Sequence, residues 1–457
     1  MMRSPYCPEL TIFAVLFWHK SEMNGRQINE YYQMMHLSKL SIFVCALLAI
    51  PALLAAKIPS PNDFTGSDTE RIQAAINAAK GTSGKVIIPA DNSNGTHLWK
   101  IDHALLLPSD LTVILDNCTL RLSDESRDNM FRSDNVGEGI TQPTWNRNIH
   151  LVGVGQVRLQ GALNPRSTGD SGRQLTLDTD AAKKAGNWRV SYGSDAGKAD
   201  QKQTGDWRNI LILMAYVDGF TLTNVSIENT HGWSVSFERT LHAEITQIRI
   251  DNREELDING KTVSVANKDG INLRQGCKYF RIDNISGYTG DDFIALSNLG
   301  SGPEDPRPNG ALTSTMVTAS TWFGPEDDIE HVHISNIHSA NRYRAVAIRA
   351  TDQAGIHHVF INSLQFQAAE GKYEAILLGG GGYGKPSLPG KIHHIYAMNL
   401  NGTGKCLVRI ESPVHDCGII NAVYEGEADD PILYTTDKDQ VQRLELRNVI
   451  HSSSSIH

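Results

Sequence analysis

The stretch from Asn267 to Leu296 reads NKDGINLRQGCKYFRIDNISGYTGDDFIAL and contains two acidic motifs. Asp269 is followed by the apolar run INL, and the pair Asp291–Asp292 is followed by FIAL. About 22 residues separate Asp269 from Asp291, which is close to one turn of a coiled β-solenoid. Stacked turns lie ~4.8 Å apart, so the spacing predicts that these carboxylates share one surface patch.

A degenerate repeat runs through the chain from Trp207 onward. Each copy is a short alternating strand that ends near Asn or another turn residue, and the anchor positions are Leu222, Ile245, Ile282, Ile334, Ile361 and Ala397. Their spacings run from about 23 to about 52 residues, so loops of different length interrupt a constant unit. Almost no helix lies between the copies, which favours an all-β parallel β-helix in which the Asn residues can stack as a ladder.

Residues 67–79 are the convincing helix outside the repeat. Ser67 or Asp68 can cap it, and Ile72, Ala75, Ile76 and Ala79 fall on one face. A solenoid must cover its open end, so we expect this segment to be an N-terminal capping helix. Two polar segments without periodicity, near 163–207 and 297–328, are predicted to be loop insertions, the second forming a wall of the cleft around the aspartates.

Residues 1–56 are predicted to lie outside the fold. Leu37 to Ala56 has a basic residue, Lys39, ahead of an apolar run that ends in small residues, which is typical of a secretory signal peptide. The preceding residues are interpreted as an over-extended start, and a retained N-terminal anchor is the alternative. Residues 57–457 then form the β-helix catalytic domain, in a secreted or periplasmic protein that has no membrane contact after signal cleavage.

Composition narrows the classes of partner. The 457-residue chain is 40% hydrophobic and 20% charged, with a net charge of −9, which indicates a soluble globular protein and gives no sign of binding to nucleic acid or an anionic membrane. Of four cysteines after residue 56, Cys406 and Cys417 are the nearest pair for a disulfide. No CxxC motif is present, so no zinc site is implied. We expect no metal, no cofactor and a monomeric protein.

At these motifs the chain resembles glycoside hydrolase family 28, the polygalacturonases and their relatives. Asn267-Lys-Asp-Gly270 resembles the family's Asn-Thr-Asp-Gly motif, and Gly290-Asp-Asp292 resembles its Gly-Asp-Asp motif. The resemblance implies a right-handed parallel β-helix and hydrolysis with inversion, with Asp291 as the acid and with Asp269 and Asp292 holding and deprotonating the attacking water. Such a site needs its acid and base ~6.5–9.5 Å apart. Asn267 would orient the water or Asp269.

Two further family motifs are missing, which marks a divergent member. Arg344 stands where the family has the histidine of Gly-His-Gly, and Glu374-Ala-Ile-Leu-Leu378 replaces Arg-Ile-Lys, which grips a sugar carboxylate. Arg274, Arg344 and Arg349 could replace the lost cations, because guanidinium binds carboxylates in a bidentate manner. The alternative for each is a solvated or salt-bridged strand residue. Lys385, at the end of a Gly-rich loop, is a further candidate to reach the sugar.

Taken together, the motifs predict a glycosidase that acts on a pectin-like or related polysaccharide containing uronate or rhamnose. A polysaccharide lyase and a non-catalytic carbohydrate-binding β-helix are the alternatives. Two smaller features favour structural roles. His331, His358 and His394 each precede an anchor by three residues, which indicates a stacked column rather than a metal site. Trp233 and Phe237 are expected in the core rather than under a sugar ring.

Overall fold

Strands dominate the computed structural model of this protein. It describes residues 57–163 except 127, 138 and 141; 173–174; 202–203; 207–300 except 231, 254, 259, 260 and 265–267; 316–318; 324–380; and 385–452. Residues 58–457 form one compact unit. The predicted start and signal segment, residues 1–56, lies outside the described residues. Within the described part of the chain, no helix is both long enough and apolar enough to cross a membrane.

One α-helix and 28 strands are described, together with short 3-10 helices at Pro61–Asp63, Trp207–Asn209, Pro325–Asp327 and Lys438–Gln440. The helix is α1 (Asp68–Ala79). The strands are β1 (Lys85–Ile88), β2 (Leu98–Ile101), β3 (Leu105–Leu107), β4 (Leu111–Asp116), β5 (Thr119–Leu122), β6 (Phe131–Ser133), β7 (Asn146–Val154), β8 (Arg158–Gln160), β9 (Arg173–Gln174), β10 (Lys202–Gln203), β11 (Ile212–Ala215), β12 (Val217–Glu228), β13 (Val235–Glu238), β14 (Leu241–Asn252), β15 (Glu255–Ile258), β16 (Lys261–Ser264), β17 (Ile271–Leu273), β18 (Lys278–Thr289), β19 (Ile294–Asn298), β20 (Ile329–Asn341), β21 (Val346–Ala350), β22 (Ile356–Ala368), β23 (Ile376–Leu378), β24 (Ile392–Gly402), β25 (Val408–Ile410), β26 (Val414–Tyr424), β27 (Ile432–Tyr434) and β28 (Val441–His451).

Two parallel sheets run the length of the unit. The 14-stranded sheet follows the path β1-β4-β7-β12-β14-β18-β20-β22-β24-β26-β28, with β2, β5 and β8 beside it, and the 10-stranded sheet runs β27-β25-β23-β21-β19-β17-β13-β11-β6-β3. The chain therefore visits both sheets once in each coil from β12 onward. The predicted all-β parallel β-helix with an N-terminal helix is confirmed. Two antiparallel pairs, β9 with β10 and β15 with β16, are local hairpin-like additions.

The predicted register of the repeat is also confirmed. The six anchors pair one after another across β12, β14, β18, β20, β22 and β24, in the order Leu222, Ile245, Ile282, Ile334, Ile361 and Ala397. All six are buried in the central core. Because a one-residue slip would turn every apolar side chain outward, this buried column fixes the alignment of successive coils.

Helix α1 covers the N-terminal end of the core. Ser67 is its N-cap: the Ser67 hydroxyl accepts from the Glu70 amide and the Glu70 carboxylate accepts from the Ser67 amide, which together form a capping box. Ile72, Ala75, Ile76 and Ala79 are all fully buried, so the predicted apolar face is the face that packs on the coils. This arrangement satisfies the helix start and shields the first strands from water.

The long strands of the 14-stranded sheet bend at two recurring positions where the backbone is left-handed. One position carries mostly Asn, and Asn421 donates to Asn399 at 3.2 Å while Asn448 donates to Asn421 at 2.9 Å, so an Asn ladder forms over the last coils. The other position carries the predicted column of His331, His358 and His394, whose rings stack with centroids 4.9 and 4.7 Å apart. Among residues with a side chain, Asn is one of those that tolerate this conformation best, which accounts for the Asn at the ends of the repeats.

The structure also tests the predicted disulfide and the predicted burial of Trp233 and Phe237. The four described cysteines are all free, so the candidate pair Cys406–Cys417 is wrong as a disulfide. The reason is topological: Cys406 leads into the 10-stranded sheet, whereas Cys417 lies in β26 of the other sheet. Phe237 is fully buried in the core, as expected, while Trp233 is only partly buried.

Candidate active site

The candidate site lies at the start of four stacked strands, β17, β19, β21 and β23. Their register pairs Ile271 with Ile294, then Val346, then Ile376. Two residues before these positions stand Asp269, Asp292, Arg344 and Glu374, so four charged residues occupy equivalent places in successive coils. Backbone hydrogen bonds hold them there: the Gly270 amide donates to the Asp292 carbonyl at 3.0 Å, and the Phe293 amide donates to the Arg344 carbonyl at 2.8 Å.

Gly270 allows the first two of these coils to approach closely. A Cβ at this position would lie 2.3 Å from the carbonyl oxygen of Phe293, inside the contact limit of any side chain. Glycine is therefore required beside Asp269 by the packing of β17 on β19. The Gly in the Asn-Lys-Asp-Gly motif thus keeps Asp269 next to the Asp291–Asp292 pair.

Asp292 is held by two arginines. Its Oδ2 lies 2.5 Å from Arg349 Nη2, and its Oδ1 lies 3.4 Å from Arg344 Nη1. Burial by itself would raise the pKa of Asp292, but the charges of Arg349 and Arg344 outweigh it and hold this pKa below its usual range. Asp292 is therefore a fixed carboxylate in the middle of the site.

Asp291, in contrast to Asp292, has a raised pKa. Loss of surrounding water and the negative charge of Asp292 raise the pKa of Asp291 to about 7. Its Oδ1 accepts from the Asp292 amide at 2.9 Å, and its carbonyl accepts from the Thr289 hydroxyl at 2.6 Å. Asp291 also keeps partial exposure to solvent. A carboxyl group that holds its proton near neutral pH and reaches the solvent can act as a general acid.

Asp269, on the neighbouring coil, is 6% exposed. Burial, followed by the charges of Asp291 and Asp292, raises the pKa of Asp269 well above its usual range, and the charge of Arg349 acts in the opposite sense. The three aspartates therefore form one electrostatic unit in which one member is a fixed anion and the other two compete for protons.

Two residues of this site were not assigned a role from the sequence. Asn272 follows Asp269 by three residues, and the only signal for it was its place on the INL strand. Glu374 is 1% exposed, and its Oε1 lies 2.5 Å from Arg344 Nε. The offset of 30 residues between Arg344 and Glu374 matches the pairing of Val346 with Ile376, so correct alignment of those coils would have revealed the pair.

The outer side of the same strands forms an apolar floor. Ala295, Ala347 and Leu377 pair in register and pack together, apart from the central core, because side chains alternate between the two faces of a strand. Beside the floor, the rings of Tyr343 and Tyr373 stack with centroids 4.4 Å apart. The three floor side chains are at most 2% exposed, so the partly exposed tyrosine rings are the surface on which a sugar ring can stack.

The remaining predicted site residues have separate outcomes. Asn267 lies outside the described residues. Arg274 is 1% exposed, with its guanidinium 5.2 Å from the Trp233 ring centroid. Lys385 is exposed, its carbonyl accepts from the Asp352 amide at 3.2 Å, and its side chain has no contact with the three aspartates in the described structure. Substrate contacts of Arg274, Arg344, Arg349 and Lys385 stay predictions. Arg344 and Arg349, which reach the aspartates, form ion pairs with protein carboxylates.

Part of the second predicted insertion folds back toward the site region. The Thr318 amide donates to Glu238 Oε2 at 2.9 Å, and Asp327 Oδ1 lies 2.8 Å from Arg239 Nε. Glu238 is the last residue of the strand β13 and Arg239 follows it, one coil before β17. These contacts fix the described portions, residues 316–318 and 324–328, against the coil that precedes Asp269. Residues 301–315 and 319–323 lie outside the described residues, as does most of the first insertion.

Histidine, cysteine and acidic side chains elsewhere do not form a metal centre in the described portion of the chain: no group of three or more is arranged to hold an ion.

A family model supports the resemblance that the two Asp motifs predicted. The model described as Glycosyl hydrolases family 28 matches residues 176–302, which include Asp269, Asp291 and Asp292. The resemblance to this family is thereby confirmed for that segment, as a divergent relative. No curated protein matches the chain.

Solved structures with a similar chain path include enzymes and an adhesin. The family 28 exopolygalacturonase of Yersinia enterocolitica is 15% identical, with 85% of this chain and 78% of that chain covered and a TM-score of 0.45. The hyperthermoactive exopolygalacturonase of Thermotoga maritima is 13% identical, with 88% and 95% covered and a TM-score of 0.46. The surface protein and adhesin PfbA of Streptococcus pneumoniae is 10% identical, with 87% and 99% covered and a TM-score of 0.45.

Proposed function

We propose that this protein is a glycoside hydrolase that cleaves O-glycosidic bonds in a pectin-like or related polysaccharide by an inverting acid/base mechanism. The observation that carries the proposal is the electrostatic division among three adjacent aspartates. Asp292 is kept ionised by Arg344 and Arg349, whereas the pKa values of Asp291 and Asp269 are raised. The opposite pKa shifts of Asp291 and Asp292 distinguish a proton-holding acid from a fixed anion, and the base role falls to Asp269 from its place on the adjacent coil.

In this mechanism Asp291 protonates the leaving glycosidic oxygen. Its pKa of about 7 supports that role, because the group holds a proton at neutral pH and can still release it. Asp269, on the preceding coil, takes a proton from the attacking water in the state in which Asp269 is ionised and Asp291 is protonated. Asp292 is less suited to that step than its family resemblance implied, since two guanidinium groups occupy its oxygens. Its role here is to supply the fixed negative charge that keeps Asp291 protonated and stabilises positive charge on the sugar.

We also propose that the protein is secreted or periplasmic, with residues 37–56 acting as the signal peptide. An extended polysaccharide outside the cell is the substrate that such a location supplies. N-terminal sequencing of the protein recovered from culture medium or periplasm tests this: a start within or before residues 37–56 would contradict it.

The activity is tested by incubating the protein with a panel of pectic and related glycans and measuring new reducing ends. Proton NMR of the first product gives the anomer, and inversion is expected. An absorbance from an unsaturated uronate would instead identify a lyase. Glycan binding without product, unchanged after neutralisation of Asp269, Asp291 and Asp292, would identify a non-catalytic binding protein.

A further inference from the structure

We infer that the sugar ring held at Asp291 is neutral and carries no carboxylate. This inference rests on the proposed function and concerns the same site. The predicted substrates include uronate and rhamnose units, and the electrostatics of the described residues distinguish between them. A uronate ring would bring a negative charge into a buried site, and such a charge requires a cationic partner.

The cations closest to the aspartates are already occupied. Arg349 contacts Asp292 at 2.5 Å, and Arg344 lies between Asp292 at 3.4 Å and Glu374 at 2.5 Å. Their side chains are only 7% and 12% exposed. A substrate carboxylate could recruit either arginine only by leaving Asp292 or Glu374 buried without its partner.

The bordering arginines are paired as well. Arg342, next to Tyr343, lies 3.3 Å from Glu370, and Arg409, in register with Leu377 of the floor, lies 2.9 Å from Glu411. Lys268 is fully buried and does not reach the surface. Within the described parts of the chain, each arginine that borders the floor therefore has a protein carboxylate as its partner.

The charge balance of the site points the same way while Asp292 and Glu374 are ionised as the partners of the two arginines. Four acids, Asp269, Asp291, Asp292 and Glu374, face two cations, Arg344 and Arg349. When Asp269 and Asp291 both hold protons the group is neutral, and when either loses its proton the group is negative. With both ion pairs intact, these six residues present no net positive charge to a substrate, so a carboxylate on the sugar would be unpaired or repelled.

The floor adds a preference of shape. Ala295, Ala347 and Leu377 are at most 2% exposed, so the apolar surface open to a ligand is that of the stacked, partly exposed rings of Tyr343 and Tyr373. The C–H face of a neutral pyranose packs well on such surfaces, and a methyl or hydroxymethyl group at C5 needs no counter-ion. The ligand class is therefore a neutral hexose or 6-deoxyhexose unit of a pectin-like chain.

The sharpest test uses two ligands that differ only in charge: an oligogalacturonide and its fully methyl-esterified form. Esterification removes the carboxylate charge and leaves the ring and the linkage unchanged. Neutral oligosaccharides with a terminal galactose or rhamnose extend the comparison. We expect kcat/KM to be at least about tenfold higher for the ester and the neutral glycans than for the free acid, since one unpaired like charge costs at least this factor at close range.

Binding to the Asp291→Asn variant, measured by calorimetry at low and high salt, separates this inference from the proposed function. If the free acid is bound or cleaved better than its ester, and high salt weakens that preference, the neutral-sugar inference is overturned while the hydrolase proposal stands. If no glycan is cleaved by the wild type or bound by the variant, both fail. Preference for neutral rings in binding without any cleavage by the wild type would support the inference about the site and overturn the hydrolase.

Discussion

Asp292 Oδ2 lies 2.5 Å from Arg349 Nη2, and this contact determines the electrostatics of the whole site. Together with Arg344, it keeps Asp292 ionised although the residue is 1% exposed. Burial raises the pKa of Asp291 and of Asp269, and the retained charge of Asp292 raises both further. Arg344, which stands where the family has a histidine, and Arg349 therefore act on the candidate acid/base residues themselves.

Replacement of Asp291 by Asn should remove the general acid and leave the fold intact, because the amide is isosteric. We expect kcat to fall by about 10²–10⁴ on substrates with a poor leaving group, measured as the rate of reducing-end release. Asp439→Asn, at an exposed position of a 3-10 helix, is the matched control and should retain wild-type activity. Full activity in Asp291→Asn would show that another residue protonates the leaving group.

The pH dependence of kcat/KM should have an alkaline limb near pH 7. Asp291 must be protonated to act as the acid, so activity is lost as pH rises through its pKa of about 7. The charge of Asp292 contributes to that raised pKa, so Asp292→Asn should move the alkaline limb to lower pH in whatever activity remains. A limb that stays in place would mean that burial alone sets the pKa of Asp291.

Removal of Arg344 alone should destabilise the protein more than removal of both Arg344 and Glu374. Arg344→Met leaves Glu374, 1% exposed, without its ion-pair partner, and we expect a loss of about 3–5 kcal/mol in the free energy of unfolding. The double variant Arg344→Met/Glu374→Met removes both charges and should recover most of that loss in urea denaturation. A double variant no more stable than Arg344→Met would show that packing, not the unpaired charge, dominates.

The sequence predicted the coil register well and the side-chain partners poorly. The anchors from Leu222 to Ala397 could be aligned because burial imposes a strict period of two on each strand. The Arg344–Asp292 contact could not be predicted, because 52 residues separate the two positions and loops of unequal length obscure how many coils lie between them. Whether Arg344 turned toward solvent, substrate or Asp292 also depends on Glu374, a residue with no motif of its own.

Lys268 should destabilise the protein at neutral pH. Its Nζ is fully buried and has no hydrogen-bond partner among the described residues, and burial lowers its pKa from 10.5 to about 7. Between these values the unfolded chain binds more protons than the folded one, so stability should rise with pH from about 7 to about 10.5. Lys268→Met should therefore be more stable than the wild type by about 1–3 kcal/mol at pH 7, and that advantage should shrink toward pH 10. Lys372→Met, at an exposed site, is the control for the loss of a surface lysine and should not change this slope.

The histidine columns should make the protein sensitive to acid. His393 stacks between His357 and His415, with ring centroids 4.7 and 4.8 Å away, and its Nδ1 lies 2.6 Å from Nδ1 of His394. Burial, followed by repulsion from the neighbouring imidazoles, lowers the pKa of His393 to about 4. The unfolded chain, with an ordinary histidine pKa of ~6.5, therefore binds more protons between pH 6.5 and 4.

Stability should accordingly be full above about pH 6.5 and fall as the pH drops toward 4. His393→Phe keeps an aromatic ring in the stack, as Phe360 does against His333 in this protein, but has no site for a proton. We expect the variant and the wild type to have similar Tm values at pH 7.5 and the variant to have the higher Tm at pH 5. His338→Phe, at an exposed position outside the columns, is the control and should follow the wild-type pH profile. Identical acid sensitivity in His393→Phe and the wild type would place the pH-sensitive groups elsewhere in the chain.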